Sequence, residues 1–387
     1  MSPDDALRAA VEDGAVAGVT AMAVTGGGAL HVGSAGERAL GGGAPMGPDT
    51  LMLLASMTKL ITTVAALKLI EARRLELDAP AGAYVPEIDR LRVLAGWEGG
   101  APVLRAPARP ITVRHLMTHT AGMPYALWSA AQARYNAHAG IPSVTTGAPE
   151  ALMGALMADP GERWQYGIAT DWLARVVSEV SGASIGAVLR EEVLGPLGMD
   201  DTSYRITPAM RPRLAAMHAR RADGGLTIRD WARPQDPPVE EGGGGLYGAA
   251  EDYAKLLAML LNGGRAGDGR LLAPETVAAM ARPAIGSVPV APMPSTNRDV
   301  AMDLDLLDGM AGTFGFGSLV LTEAAPTGRS AGSFSWAGIA NTYFWVDPAR
   351  GLAGLWMAQV LPFLDPPVRA ACLAYEAAVY RMAEAGG

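Results

Sequence analysis

Strand-like patterning occurs at the two ends of this 387-residue chain and is nearly missing between them, which restricts the fold more than any other feature. Pro3 to Glu12 reads as a helix, followed by strands over Val16–Val24 and Ala29–Ala35 joined by the turn Gly26-Gly27-Gly28. Leu60, Val64, Leu67 and Ile70 then recur at helical spacing in a long helix from near Ser56 to Arg73. From Leu75 to about Gly244 helical stretches alternate with proline-rich loops, including Leu152–Met157, Thr170–Val180 and Ile185–Leu194. Beyond the glycine run Gly242–Gly245, Glu251–Leu261 reads as an amphipathic helix. Strands follow over Phe314–Thr322, Arg329–Trp336, Asn341–Val346 and Leu352–Val360, with a closing helix over Pro367–Ala383. A sheet must therefore be assembled from both ends of the chain, and short links make its late strands antiparallel. The expected class is α/β in the α+β sense. One domain comprises residues 1–74 and 245–387 around the sheet, and a mainly helical insertion spans 75–244.

Half the residues are apolar, 18% are charged and the formal net charge is −8, which fits a folded chain with a full core. The acidic balance excludes a basic face for nucleic acid. A single cysteine, Cys372, excludes a disulfide scaffold and is expected in core packing. Asp4, Asp5, Glu12 and Asp13 occupy the stretch where a secretory signal carries basic residues, and the first apolar run is too short to span a bilayer. A cytoplasmic protein with no membrane partner is the expectation. Among 31 cations only Lys59, Lys68 and Lys255 are lysine, so a lysine inside a motif carries weight.

Ser56-Met57-Thr58-Lys59 opens the long helix. At i and i+3 the hydroxyl and the amine share one face, and the helix amino end offers free N–H groups where an oxyanion would form. A lysine amine held neutral by desolvation can act as the base that activates a serine. A serine cap followed by a solvated lysine has the same spacing, so spacing alone leaves both readings open.

The surrounding Leu53-Leu54-Ala55-Ser56-Met57-Thr58-Lys59-Leu60 resembles the serine hydrolases related to class C β-lactamases and penicillin-binding proteins. Further matching stretches follow in order: Thr112 to Gly122, Leu194 to Met199, and Gly244-Gly245-Leu246-Tyr247. The resemblance covers nearly the whole chain and implies an antiparallel sheet flanked by helices, with a helical domain beside it. Tyr166-Gly167-Ile168 occupies the place of the family's second motif, which implies that Tyr166 shares a proton network with Lys59 and protonates the leaving group. Trp336-Ala337-Gly338 resembles the third motif in the form found in family VIII carboxylesterases and their acyltransferase relatives. By the same resemblance, the Ile339 amide joins that of Ser56 as the oxyanion hole.

Two departures bear on the substrate. Ile168 replaces the asparagine that often ends the second motif in β-lactamases, and Trp336 replaces the lysine of the third. A β-lactam presents a carboxylate and an amide that such groups would pair, whereas an apolar ester makes no such demand. Tyr125, Trp128, Trp164, Tyr247 and Trp336 are candidates for an apolar wall around an acyl group, with Ile168 and Gly338 nearby in the motifs.

Gly182-Ala183-Ser184-Ile185-Gly186 satisfies the Gly-x-Ser-x-Gly pattern, but it follows a helix where a nucleophile elbow follows a strand, so Ser184 reads as a helix cap. His115 and His119 stand at i and i+4 without the glutamate or third ligand of a zinc site, which assigns them to packing or hydrogen bonding.

The expected protein is a serine carboxylesterase that hydrolyses small to medium apolar esters through an acyl-enzyme on Ser56, with no metal or cofactor. Its partner is a small-molecule ester. The alternatives are acyl transfer to an alcohol, a β-lactamase or D,D-peptidase-like hydrolase, and a non-catalytic penicillin-binding-like module.

Overall fold

The computed structural model describes residues 1–385. A seven-stranded antiparallel sheet takes strands from both chain ends, in the spatial order Gly312–Phe314, Leu319–Leu321, Phe334–Gly338, Thr342–Asp347, Leu352–Met357, Gly18–Thr25 and Gly28–Gly36. The amino-terminal hairpin joins the late strands through Gly18–Thr25, which pairs with Leu352–Met357 in a register that sets Thr20 opposite Met357.

Period-two alternation explains the layers. Phe344 and Trp345 are consecutive and point to opposite faces of the sheet. Phe344 meets Tyr253 of helix Ala250–Leu261, with ring centroids 5.6 Å apart. Trp345 meets Tyr375 of helix Pro366–Ala385 at 6.3 Å. Both sheet faces are thus covered, and the central strands are buried along their length rather than alternating with solvent-facing positions. Helix Pro3–Glu12 packs beside the closing helix; its Ser2 cap and Asp5 form a reciprocal capping box. Among the described residues no single helix is long and apolar enough to cross a membrane.

Helix Thr58–Glu71 buries 11 of its 14 residues, including Thr58, Lys59, Thr62 and Thr63. A surface helix shows one apolar stripe, whereas this one is enclosed all round, with helix Ala169–Ser181 of the middle segment packed against it.

Several expectations need correction. Leu152–Met157 is not a helix: a short 3₁₀ turn ends at Leu152, and Leu156 exchanges backbone hydrogen bonds with Arg92 and Leu94. The middle segment also contains strands. Val93–Glu98 and Ala101–Arg105 form a hairpin across Gly99 and Gly100, both in the left-handed region, and His218–Arg220 pairs with Leu226–Ile228. Phe314–Thr322 is two strands separated by a turn at Gly317, whose φ of 74° favours glycine. Arg329–Trp336 begins as a strand only at Phe334, and Ile185–Leu194 changes from α to π geometry at Arg190.

Candidate active site

Ser56 lies in a 3₁₀ turn, Ala55–Met57, that leads into the long helix. Ala55 has a φ of 48°, a left-handed conformation that costs a non-glycine residue about 1 kcal/mol or more. Neighbouring contacts hold it there. Leu54 N–H donates to the Leu246 carbonyl at 2.9 Å, the Leu54 carbonyl accepts from Thr342 Oγ1 at 3.2 Å, and the Gln359 amide clamps both backbone groups of Leu53 at 3.1 Å.

Lys59 is 1% exposed, and its Nζ lies 3.1 Å from Ser56 Oγ, 3.1 Å from the Tyr125 hydroxyl and 2.7 Å from the Gly243 carbonyl oxygen. The Tyr166 hydroxyl donates to Ser56 Oγ at 2.6 Å. Serine, lysine and tyrosine therefore meet as the motifs led one to expect. Tyr125 goes further than its expected place in an apolar wall, because it reaches the lysine itself. Its segment is brought in by backbone pairing: Tyr125 N–H donates to the Tyr166 carbonyl at 3.1 Å and Ile168 N–H to the Met123 carbonyl at 3.1 Å. Gly167 permits this approach, since a β-carbon there would fall 1.7 Å from the Met123 carbonyl oxygen. Burial pushes the Tyr125 phenol well above its ordinary range, with Asp171 adding in the same direction, so it remains a neutral hydroxyl.

The glycine run forms the floor behind the lysine. Thr62 Oγ1 donates to the Gly242 carbonyl at 2.7 Å, and Gly243 N–H donates to Asp171 Oδ1 at 2.8 Å. A β-carbon at Gly242 would sit 2.1 Å from that of Ala174, which explains a glycine there. Asp171 thus fixes the peptide whose carbonyl receives Lys59. Its carboxyl is raised by desolvation, opposed mainly by Lys59, and its Oδ2 is buried without a hydrogen-bond partner among the described residues.

Ser56 opens on a cavity of about 430 Å³ lined by Tyr125, Trp128, Tyr166, Ile168, Trp336 and Ile339, among others. Three of the expected substrate-binding residues take other places. Trp164 lies behind Trp336, ring centroids 6.5 Å apart, in the cluster that also holds Phe314. The Tyr247 hydroxyl accepts the Arg233 N–H at 3.0 Å and so supports the wall from behind. Gly338 is pressed against the turn that carries Ser56, where a β-carbon would lie 2.4 Å from the Leu54 carbonyl oxygen.

The sequence reading passed over Arg233, Glu241 and Asp171. Arg233 and Glu241 line the cavity, each 9% exposed, with Arg233 Nε 3.5 Å from Glu241 Oε1. Burial, joined by the charge of Asp171 and opposed by Arg233, pushes the Glu241 carboxyl up to about 7. The position of Glu241 directly before the glycine run was the available signal.

His115 Nδ1 accepts the Thr112 N–H at 3.1 Å and completes a capping box. His119 is buried against Tyr166, Phe314 and Trp336, and desolvation together with Lys59 holds it well below the usual histidine range. Ser184 caps the helix that follows it by accepting the Ala187 N–H at 3.3 Å. Cys372 is buried, and desolvation pushes its thiol up to about 12.

This sheet, built from both chain ends with a Ser-x-x-Lys turn and a tyrosine converging beside it, defines the β-lactamase and penicillin-binding-protein fold class. The chain belongs to the β-lactamase family, whose profile matches residues 3–378. It is 31% identical over 358 residues to a monacolin J acid methylbutanoyltransferase of Aspergillus terreus, covering 88% of this chain and 84% of that protein. A lovastatin esterase of Penicillium rubens is 30% identical over 396 residues, with 93% of each chain covered. The unliganded selenomethionyl structure of simvastatin synthase from Aspergillus terreus superimposes with a TM-score of 0.85 at 28% identity, covering 98% of this chain and 97% of that one. Both relatives and the fold class place this chain among enzymes that act on acyl esters.

Proposed function

We propose that the protein is a serine carboxylesterase that cleaves medium-sized, largely apolar esters through an acyl-enzyme on Ser56. The observation that carries this reading is the triangle in which Ser56 Oγ lies 3.1 Å from Lys59 Nζ and 2.6 Å from the Tyr166 hydroxyl. Gly243 and Tyr125 take two of the lysine's contacts and leave the third aimed at the serine, so a neutral amine there can accept the serine proton. Ser56 Oγ attacks the ester carbonyl carbon as its proton passes to Lys59. The carbonyl oxygen becomes an oxyanion facing the Ser56 and Ile339 amides. Collapse expels the alcohol, protonated through Tyr166, and leaves the acyl-enzyme; water then attacks, returns a proton to the network and releases the acid.

Transfer to an alcohol instead of water is the second reading, favoured by the methylbutanoyltransferase relative and by a cavity with room for an acceptor beside the acyl group. Turnover of p-nitrophenyl hexanoate by the wild type, lost in Ser56→Ala with an unchanged circular-dichroism spectrum, is the expected result. Undiminished turnover in that variant would sink the assignment. Product analysis with a competing alcohol separates the readings, since a transferase forms mainly the new ester in dilute acceptor.

A further inference from the structure

The cavity that holds Ser56 is not uniformly apolar. Trp128, Val300, Leu304 and Phe363 form one part of its lining, while Trp231, Arg233 and Glu241 form another. Arg233 shares with Arg329 a buried Nε that lacks a partner among the described residues and a carboxylate at 3.4 to 3.5 Å, but of the two it is Arg233 that lines the cavity holding Ser56. It is nine-tenths buried, its Nε has no hydrogen-bond partner among the described residues, and its carboxylate neighbour stands at 3.5 Å, beyond a charge-assisted hydrogen bond. By contrast, the buried Arg220–Asp365 pair closes to 2.6 Å. A buried guanidinium without good acceptors costs free energy unless a ligand supplies them.

The position of Arg233 is fixed rather than floppy. Its backbone N–H is held by the Tyr247 hydroxyl at 3.0 Å, and its guanidinium carbon lies 5.4 Å from the centre of the Trp231 ring. A β-carbon on Gly244 would come within 3.8 Å of Arg233 Nη2, and Gly243, one residue earlier, supplies the carbonyl that receives Lys59. The cation thus borders the reaction centre from the glycine floor, on a different segment from the third motif, where Trp336 stands.

We propose that Arg233 is the anchor for a carboxylate carried by the substrate, so that the preferred ester has an apolar body and an anionic end, on either its acyl or its alcohol part. This inference rests on the esterase or acyltransferase reading above. Glu241 tunes the anchor. When neutral it leaves the guanidinium free and can itself donate to the bound carboxylate; when ionised it competes for Arg233. Its carboxyl changes charge near pH 7, facing Arg233, Asp171 and Lys59 as ionisable neighbours and the phenols of Tyr125, Tyr204 and Tyr247. The carboxylate preference accordingly falls as pH rises from 6 to 8. Comparing charged and neutral substrates as a ratio cancels any titration of the catalytic groups common to both.

Two arms test the anchor. For the acyl part, kcat/KM is compared for p-nitrophenyl hydrogen adipate and p-nitrophenyl hexanoate. For the alcohol part, transfer from p-nitrophenyl hexanoate to 6-hydroxyhexanoate is compared with transfer to 1-hexanol. Arg233→Gln is expected to lower the charged-to-neutral ratio about 10- to 100-fold in at least one arm, and Arg233→Lys by less, because lysine keeps the charge without the fork. Glu241→Gln is expected to raise that ratio at pH 8 and flatten its pH dependence, which keeps the test informative should Arg233→Gln fail to fold. Ratios unchanged in both arms by Arg233→Gln, or unchanged at pH 8 by Glu241→Gln, overturn the proposal. Calorimetry with Ser56→Ala reads binding without turnover: monomethyl adipate is expected to bind at least about tenfold tighter than methyl hexanoate, and equal affinities overturn the anchor. Absent hydrolysis with intact carboxylate preference in that titration would refute the esterase reading alone.

Discussion

At the Ser56 end of the cavity four side chains, Ser56, Lys59, Tyr125 and Tyr166, are joined by contacts of 2.6 to 3.1 Å, and Lys59 is tied to the backbone by a further one of 2.7 Å. At the Arg233 end, guanidinium and carboxylate stand 3.5 Å apart, and a buried nitrogen lacks a partner among the described residues. Both ends are desolvated, so the same chemistry of buried charge governs them. The difference lies in who completes the hydrogen bonds. At the reacting end the protein itself joins Ser56, Lys59, Tyr125 and Tyr166, whose atoms must be in place before the ester arrives. At the other end it leaves hydrogen bonds open, as a recognition site requires.

If preorganisation distinguishes the two ends, variants at the Ser56 end should damage kcat, and those at the Arg233 end should change substrate choice. The largest effect is expected for Lys59→Arg, which cannot supply a neutral amine and so removes the base: kcat for p-nitrophenyl hexanoate should fall about 10³-fold or more, comparable to Ser56→Ala. Residual activity within tenfold of wild type would assign the base elsewhere. Tyr166→Phe should lower kcat by about 10²- to 10³-fold with a small change in KM, measured under saturating ester. A fall in kcat/KM carried entirely by KM would instead place Tyr166 in binding.

Asp171 is a positioning residue that acts through Gly243. Asp171→Ala should lower kcat about tenfold, whereas Asp171→Asn, which can still accept the Gly243 N–H, should retain most of it. Equal losses in the two variants would show that charge, rather than the hydrogen bond, is what matters. A shift in the acid limb of the kcat profile for Asn alone would point the same way.

The smallest effect concerns stability. Glu241 is raised from 4.5 to about 7 by burial, so between those values the unfolded chain ionises while the folded one stays protonated. The native state binds the extra proton, and stability falls as pH rises through this window, with the full penalty above about 7. Glu241→Gln should therefore gain on the wild type by about 1–3 kcal/mol between pH 5 and pH 8, read from urea unfolding. A gain in the opposite direction would mean that Arg233 pairs with Glu241 more closely than 3.5 Å suggests.

Legibility in the sequence followed the range of the interactions. The terminal helix, the amino-terminal hairpin and helix Ala250–Leu261 were visible because periodicity and turn residues lie within each element. The Gly99-Gly100 hairpin carried a turn signal, but its setting among helical stretches hid it. Leu152–Met157 misled because the backbone groups of Leu156 pair with Arg92 and Leu94, some 60 residues earlier in the chain, instead of within a helix.

Ser56 and Lys59 stand three positions apart at the start of one helix, so the sequence alone set them on a shared face, while the burial that turns the lysine to the serine came from the tertiary structure. Sequence also determined that the sheet had to be closed by both ends of the chain. Tertiary structure alone decided that Tyr125 would join Lys59 across 66 positions and that Gly243 would receive it across 184. It likewise decided that Arg233 would be buried beside the reaction centre without a close partner. No periodicity encodes such meetings, because they depend on which segments the packed core brings together, and a buried charge becomes meaningful only once its neighbours are in place.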